Sequence, residues 1–355
     1  MSRKPGRPTA RNGGSGRPRP PFRIHNHANV WLGHPCPQTS TVRWRGPGWE
    51  ELTVLDFDVI DAHHHLCDFS NSYPWLQGPA EPRYHGDDRP LRKSYLIGDY
   101  LKDAGQFRLA GSVHIENGAA DPLWEANWIQ GVHEDNGLPS VQVARASLAE
   151  PSVLAHLERL ASVPSVRGVR DILSWHPDPR YTHTSRPDLI TDARWLKGFS
   201  HLSSLGLSFD LQVFPDQLDQ AARLAADHPD TSIVLDHAGM PLLRDAESHH
   251  HWRSRMQNLA KQPNVVTKIS ALGTNDHSWT KETIRPIVLD TIDIFGPNRT
   301  MFGSNFPVDS LYSSFTALYT AFDEITTDMT AGDRQQLFAE TAKTTYGIET
   351  LNSKL

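Results

Sequence analysis

Residues 58–65 read DVIDAHHH, a short apolar run that ends in three histidines. A run of this length with β-branched residues predicts a strand, and its polar end marks where the chain leaves the sheet. Seven further runs read as strands: LAGSVHIE (109–116), SVQVARA (140–146), SVRGVRD (165–171), LSFDLQV (207–213), TSIVLDH (231–237), NVVTKIS (264–270) and RTMFGSN (299–305). Between them, SYLIGDYLKDA (94–104), LWEANWIQGVHE (123–134), DQLDQAARLAADH (216–228) and KETIRPIVLDTIDIF (281–295) read as helices. Strands separated by helices specify parallel βαβ units, and eight of them close most naturally into an α/β fold, the (β/α)8 TIM barrel, over 57–350. A doubly wound open sheet is the competing arrangement. It would carry a glycine-rich phosphate turn after the first strand, where histidines stand instead. No repeat period is visible, which argues against a solenoid.

The 355 residues suit one barrel, with 38% hydrophobic and 21% charged residues and no window near eighteen consecutive apolar residues. A membrane-spanning helix is therefore not expected. The net charge of −6 is unevenly spread: nine of the 35 basic residues fall in 1–49, before the first acid at Glu50. The remainder carries 26 basic against 41 acidic residues, a charge of −15, so bulk charge does not draw the barrel to nucleic acid. Residues 1–22, rich in Arg, Pro and Gly, read as a disordered basic leader, and 23–56 as an N-terminal arm. Cys36 and Cys67 cannot build a disulfide framework, and no signal peptide precedes them, so a cytoplasmic setting is expected. An organellar one follows if the leader acts as a transit peptide. The expected partner is a small molecule, with neither nucleic acid nor membrane for the barrel, and a homo-oligomer is compatible with the chain.

In a barrel the active site forms at the C-terminal ends of the strands, so the residues that end each run carry the chemistry. Alternation sends His63 and His65 inward together and His64 away. Two converging imidazoles serve as metal ligands or as neutral hydrogen-bonding groups. The second HHH, at 249–251, reads as a chance triplet in a loop. His237 ends the sixth run and Glu116 the second, the fourth ends Arg170-Asp171, the fifth contributes Gln212 and the seventh Lys268. A lone Arg or Lys in a strand is more often a strand-end snorkel or a salt-bridge partner, and it is the shared location of these residues that points to a site. The eighth run brings Asn305, whose amide hydrogen-bonds but does not titrate, followed by Asp309. Trp75, Trp175 and Trp279 are candidate pocket walls, with packing beneath a loop expected for at least one.

The phrases IDAHHHLCD (60–68), YPWL (73–76), SVHIE (112–116), VRGVRD (166–171), FDLQV (209–213), VLDHAG (234–239), NVVTKIS (264–270) and MFGSNFPVD (301–309) together resemble the amidohydrolase superfamily. Within it, they resemble the amidohydrolase-related lactonase group, which includes L-fucono-lactonase, 2-pyrone-4,6-dicarboxylate lactonase and D-galactarolactone isomerase. The resemblance implies that His63 and His65 match the first-strand His-x-His pair and His237 the sixth-strand histidine. The fifth-strand metal histidine of the wider superfamily is replaced by Gln212. The eighth-strand carboxylate, the general base of the lactonases, is replaced by Asn305. Both departures lead to an expectation of no required metal, with zinc at His63, His65 and His237 as the alternative.

The function implied is opening of a sugar-acid or related carboxylated lactone, or its isomerisation in the same site. His63 and His65 would polarise the carbonyl, Arg170 would anchor a carboxylate or hydroxyl, Asn305 would position water or a substrate hydroxyl, and His237 would take the proton, with Glu116 and Asp309 as alternatives. Metal-dependent hydrolysis and decarboxylation of an aromatic acid rank lower, since both would use an eighth-strand Asp. A non-catalytic binding barrel is opposed by the polar groups retained at one rim.

Overall fold

The computed structural model describes residues 55, 57–79, 83–184, 186–242 and 245–349. The expected leader and all of the arm but Leu55 lie outside the described residues. Eight strands, β1 (Val59–His64), β2 (Leu109–Ile115), β3 (Val141–Arg145), β4 (Val166–Arg170), β5 (Ser208–Leu211), β6 (Ile233–Leu235), β7 (Val265–Ile269) and β8 (Thr300–Phe302), form one parallel sheet in chain order. Each is followed by a helix: α1 (Ile97–Ala104), α2 (Pro122–Asn136), α3 (Val153–Ala161), α4 (Ala193–Phe199), α5 (Leu218–Asp227), α6 (Ala246–Leu259), α7 (Lys281–Phe295) and α8 (Phe315–Ile325). This is the (β/α)8 TIM barrel that the alternation of runs specifies. A short α9 (Thr341–Tyr346) follows near the end of the described chain.

Local sequence explains the boundaries. The Asp121 carboxylate caps α2 by accepting from the N–H groups of Leu123 and Trp124, Pro122 opens it, and Gly137 at φ 73° ends it. The second histidine triplet requires a correction: His249, His250 and His251 lie within α6, not in a loop. Asp245 caps that helix through Ser248 N–H, and the buried Trp252, Met256 and Leu259 recur at helical spacing. His249 and His251 pair with Asp290 at 2.6 Å and Asp216 at 2.8 Å, so the triplet tethers neighbouring elements.

The barrel closes through the backbone that follows β8. Asn305 N–H donates to His63 C=O and His65 N–H to Phe306 C=O, each at 2.7 Å. Gly303 is required at this approach, because a Cβ there would stand 2.7 Å from the His63 Cβ. The buried Asp61 carboxylate collects four donors across the seam: Ser304 N–H (2.7 Å), Ser304 Oγ (2.6 Å), Tyr100 Oη (2.9 Å) and Tyr319 Oη (3.2 Å).

A bulge in β1 sets the aim of the histidines. Asp61 pairs with Ser112 and His64 with His114, three steps on β1 against two on β2. The extra residue leaves Asp61 and His64 facing the helices, while the His63 and His65 rings stand 5.0 Å apart on the inner side. The His64 ring stacks on Tyr100 at 4.0 Å. Inside the barrel, Ile60, Val113, Val143, Val234 and Met301 form an apolar layer, plugged from below by Tyr346 and Ile348.

Replacing Asp61 with Ala strands several buried donors at the closure and should cost about 3 kcal/mol or more of stability. Urea unfolding measures this, and an unchanged midpoint would remove Asp61 from the closure.

Candidate active site

Above the apolar layer lies a charged one. The Lys268 ammonium, fully buried, sits 2.5 Å from Asp210 Oδ2, 3.3 Å from Asp236 Oδ1 and 3.4 Å from His63 Nδ1. Tyr346 Oη donates to Asp210 Oδ2 at 2.9 Å from below. Burial pushes Asp210 up to about 6 against the pull of Lys268. Burial would also raise Asp236, but Lys268 and His63 beside it hold its carboxyl well below the usual range. A buried pair of carboxylates can persist only because a cation is fixed between them.

The cavity opens directly above this layer, at the C-terminal ends of the strands. Its volume is about 530 Å³, and His65, Trp75, Glu116, Arg170, Gln212 and His237 line it together with Asn305. Three other expected site residues lie outside that lining. His63 and Lys268 belong to the charged layer beneath, and Asp309 is buried behind Asn305. Strand register explains the placement: position 63 is one inward step deeper than 65, and Lys268 one step deeper than Ser270, which meets His237.

All three histidines are neutral near pH 7. Burial, then Arg170, brings His65 down to about 4. Burial, with Arg170 and Lys268 against the opposing pull of Asp236, brings His237 down to about 3. Burial and Lys268 hold His63 well below its usual value. Their hydrogens can then be assigned from partners. The His65 Nδ1 faces the Ile115 carbonyl at 2.8 Å, an acceptor only, so Nδ1 carries the hydrogen and Nε2 a lone pair. His65 has no hydrogen left for a substrate carbonyl, and His63 does not reach the cavity. The expectation that these two polarise a lactone carbonyl is therefore corrected.

Arg170 also differs from expectation. Its Nε donates to Glu116 Oε1 at 2.7 Å and its Nη2 to the Glu116 carbonyl at 2.9 Å, while Nη1 faces Gln212 Oε1 at 3.3 Å and Asp236 Oδ2 at 3.6 Å. The fork expected for a substrate carboxylate is closed on Glu116. Because guanidinium only donates, the Gln212 atom facing it is Oε1, which leaves the Gln212 N–H₂ as a donor at the cavity. His237 Nδ1 meets Ser270 Oγ at 2.8 Å. Both His237 (φ 58°) and Asn305 (φ 56°) sit in the left-handed region, a backbone strain concentrated at the cavity.

Sequence reasoning missed Arg83, Tyr84, Arg145 and His183 on the cavity wall. Arg145 ends β3 and was open to the strand-end rule. Arg83, Tyr84 and His183 arrive on loops whose course no periodicity encodes. Trp75 donates to the Asn117 carbonyl at 2.7 Å and lies under Arg83, whereas Trp279 packs on Gly273 outside the lining. Among the described residues, His63, Asp236 and His237 bring metal-type donor atoms within 4.8 Å of one another. Asp236 was not among the expected ligands, and His65 is not in this group.

Residues 60–348 match the family model described as amidohydrolase. The chain belongs to the amidohydrolase family. This amidohydrolase is 39% identical over 299 residues to the uncharacterized protein y4mH of Sinorhizobium fredii, covering 83% of this chain and 100% of that one. It is 27% identical over 307 residues to L-fucono-1,5-lactonase of Burkholderia multivorans, covering 81% and 96%. A crystal structure of an amidohydrolase from Burkholderia multivorans with bound zinc superposes with a TM-score of 0.69 at 26% identity, over 82% of this chain and 100% of that one.

Burial also lowers the pKa of the cavity histidine His85, only 6% exposed, to about 4. Between about 6.5 and about 4 the unfolded chain binds a proton there and the folded amidohydrolase does not, so this group costs stability as pH falls. Buried acids such as Glu125 and Asp309, both pushed up to about 8, act in the opposite sense. A His85→Gln comparison isolates the histidine. Relative to that variant, the parent should lose about 1.4 kcal/mol per pH unit across the window. A pH-independent difference would show that His85 is not held neutral.

Proposed function

We propose that this amidohydrolase opens a lactone of a sugar acid or a related carboxylated lactone. The observation that carries this reading is the pairing, across one cavity, of a neutral His237 with the Gln212 N–H₂ and the Arg170 guanidinium. With Nδ1–H given to Ser270 Oγ, His237 presents a lone pair that takes a proton from water as the water oxygen attacks the carbonyl carbon. Negative charge developing on the carbonyl oxygen is met by the Gln212 N–H and the charge of Arg170. The ring C–O bond then breaks, and the alkoxide takes the proton back from His237, leaving a hydroxy acid. Protonating a group of pKa about 3 at pH 7 costs about 5 kcal/mol even with Asp236 beside it, and the developing oxyanion offsets that cost. Arg83 and Arg145 on the wall suit a substrate that carries a carboxylate.

The L-fucono-1,5-lactonase relatives support hydrolysis of a cyclic ester. Isomerisation is the second reading: a substrate hydroxyl would replace water, with Asn305 holding it as an uncharged partner. We take Lys268 as the resident positive charge of the site and no metal as required. A divalent ion such as zinc is the other reading of the cofactor, and the residues fit it. His63 Nε2 is buried without a hydrogen-bond partner, the Asp236 oxygens meet only the longer ion pairs to Lys268 and Arg170, and His237 completes the set. Such an ion would supply Lewis-acid polarisation of the carbonyl.

A panel of aldono- and aldarolactones tests the proposal. Turnover is expected on carboxylated lactones and should survive exhaustive dialysis against chelator. His237→Gln should lower kcat by roughly 10²–10⁴-fold, as for loss of a general base. Activity abolished by chelator and restored by zinc would replace the metal-free reading, and an unimpaired His237→Gln would displace His237 as the base.

A further inference from the structure

Beside the catalytic cavity, a second one of about 810 Å³ opens among the loops that follow β4, β5, β6 and β7. The segment after β1 forms the partition between them. Tyr84 N–H donates to the Arg180 carbonyl at 3.3 Å, His277 Nε2–H to the Tyr84 carbonyl at 3.0 Å, and Tyr312 Oη to the His85 carbonyl at 2.8 Å. Loops after β4, β7 and β8 thus hold this segment across the mouth of the barrel. Gly86, at φ 83°, is required there, because a Cβ would collide with the Tyr312 hydroxyl. Tyr84 consequently lines both cavities. Its ring meets His183 of the catalytic wall at 5.7 Å and stacks with Tyr181 of the second wall at 5.9 Å. A volume of about 300–1,000 Å³ encloses a drug-sized ligand, so the catalytic cavity alone has room for one lactone ring. The second cavity is surplus to that need.

The two cavities differ in charge and in surface. Arg83, Arg145 and Arg170 stand on the catalytic wall. The second wall has Asp178, Asp216, Glu247 and Asp276, with Arg180 its one guanidinium or ammonium among the described residues. A carboxylate is repelled there, whereas an uncharged group is not. Tyr84, Tyr181 and Phe214 present aromatic surface, with the His176 ring 5.0 Å from Tyr181 and 5.8 Å from Phe214. His176 Nδ1 accepts from Asp178 N–H at 3.0 Å, which leaves Nε2–H as a donor. Both polar atoms of the Asn275 side chain are buried at this wall without a hydrogen-bond partner, and ligand hydroxyls supply what that amide lacks. Apart from two prolines, Leu242 is the only aliphatic side chain among the described lining residues, so the wall does not suit an acyl chain. Flat aromatic faces edged by planar donors and acceptors suit a sugar ring, whose C–H bonds lie on its faces and whose hydroxyls point outward.

We propose that the second cavity is a subsite for an uncharged sugar ring joined to the reacting one, so that the substrate class is a glycosylated sugar-acid lactone. The lactone ring lies at His237 and Gln212, the glycosidic bond passes the edge of Tyr84, and the second ring stacks on Tyr181. The reaction is unchanged: water adds to the lactone carbonyl, the ring C–O bond breaks, and the glycosidic bond stays intact. The identity of the first ring rests on the lactone-opening reading of the catalytic cavity. The separation of charge assigns the two ends, with the acid group beside the guanidinium groups and the neutral ring beside the carboxylates.

Calorimetry and kinetics on the full chain test it. Lactobionate and melibionate each join an uncharged galactosyl ring to gluconate, at different positions. At least one of them should bind the parent protein roughly tenfold or more tightly than gluconate. Equal or undetectable binding would overturn the proposal. The corresponding two-ring lactone should exceed gluconolactone in kcat/KM by a similar factor, with the gain in KM. Tyr181→Ala should cancel that preference and Tyr181→Phe, which keeps the ring, should retain it. The preference is a ratio within one variant, so a smaller folded fraction does not alter it. A preference that persists in Tyr181→Ala would contradict the assignment of the platform. Turnover of one-ring and two-ring lactones with equal kcat/KM would leave lactone opening standing and remove the subsite. Tighter binding of a two-ring acid without turnover of any lactone would do the reverse.

Discussion

The buried ammonium of Lys268 is the interaction on which the site depends. Two carboxylates, Asp210 and Asp236, and the ring of His63 converge on it inside the barrel, with Tyr346 rising from the plug below. Removing the cation would leave two uncompensated carboxylates in an apolar surround, at a cost of several kcal/mol. Its presence also raises the cost of a further positive charge nearby, which is one reason the imidazoles above it remain neutral. The cavity floor is thus a balanced charge layer, and the reacting groups stand above it at the strand ends.

This layering explains the division of labour around the cavity. Arg170 is held by Glu116 and Gln212, so it contributes a fixed charge and orients an amide donor. His65 is held by a backbone carbonyl, so it accepts and does not donate. His237 keeps one nitrogen for Ser270 and presents the other to the cavity. Preorganisation of this kind lowers a barrier because the dipoles are already aimed when charge develops.

The fold was legible because eight short strand-like runs recur along the chain and four of the intervening segments carry a readable helical pattern. KETIRPIVLDTIDIF became α7 without a shift at either end. The rim residues were legible for the same reason, since strand ends map to the barrel mouth. Depth was not legible. A bulge in β1 and one inward step along β7 decide whether His63 and Lys268 meet substrate or lie beneath it, and neither is written in periodicity. Partners across the barrel were also invisible, so the Glu116 that occupies Arg170 and the carbonyl that occupies His65 had no local signal. The loop residues Arg83, Tyr84 and His183 reach the cavity by tertiary folding alone.

A structure with a bound lactam analogue of a carboxylated lactone tests the central claim most directly. The account predicts the amide oxygen of the analogue within about 3.2 Å of the Gln212 side-chain nitrogen, with its carbonyl carbon turned toward His237. An analogue whose oxygen approaches His65, or one seated away from these residues, would contradict it.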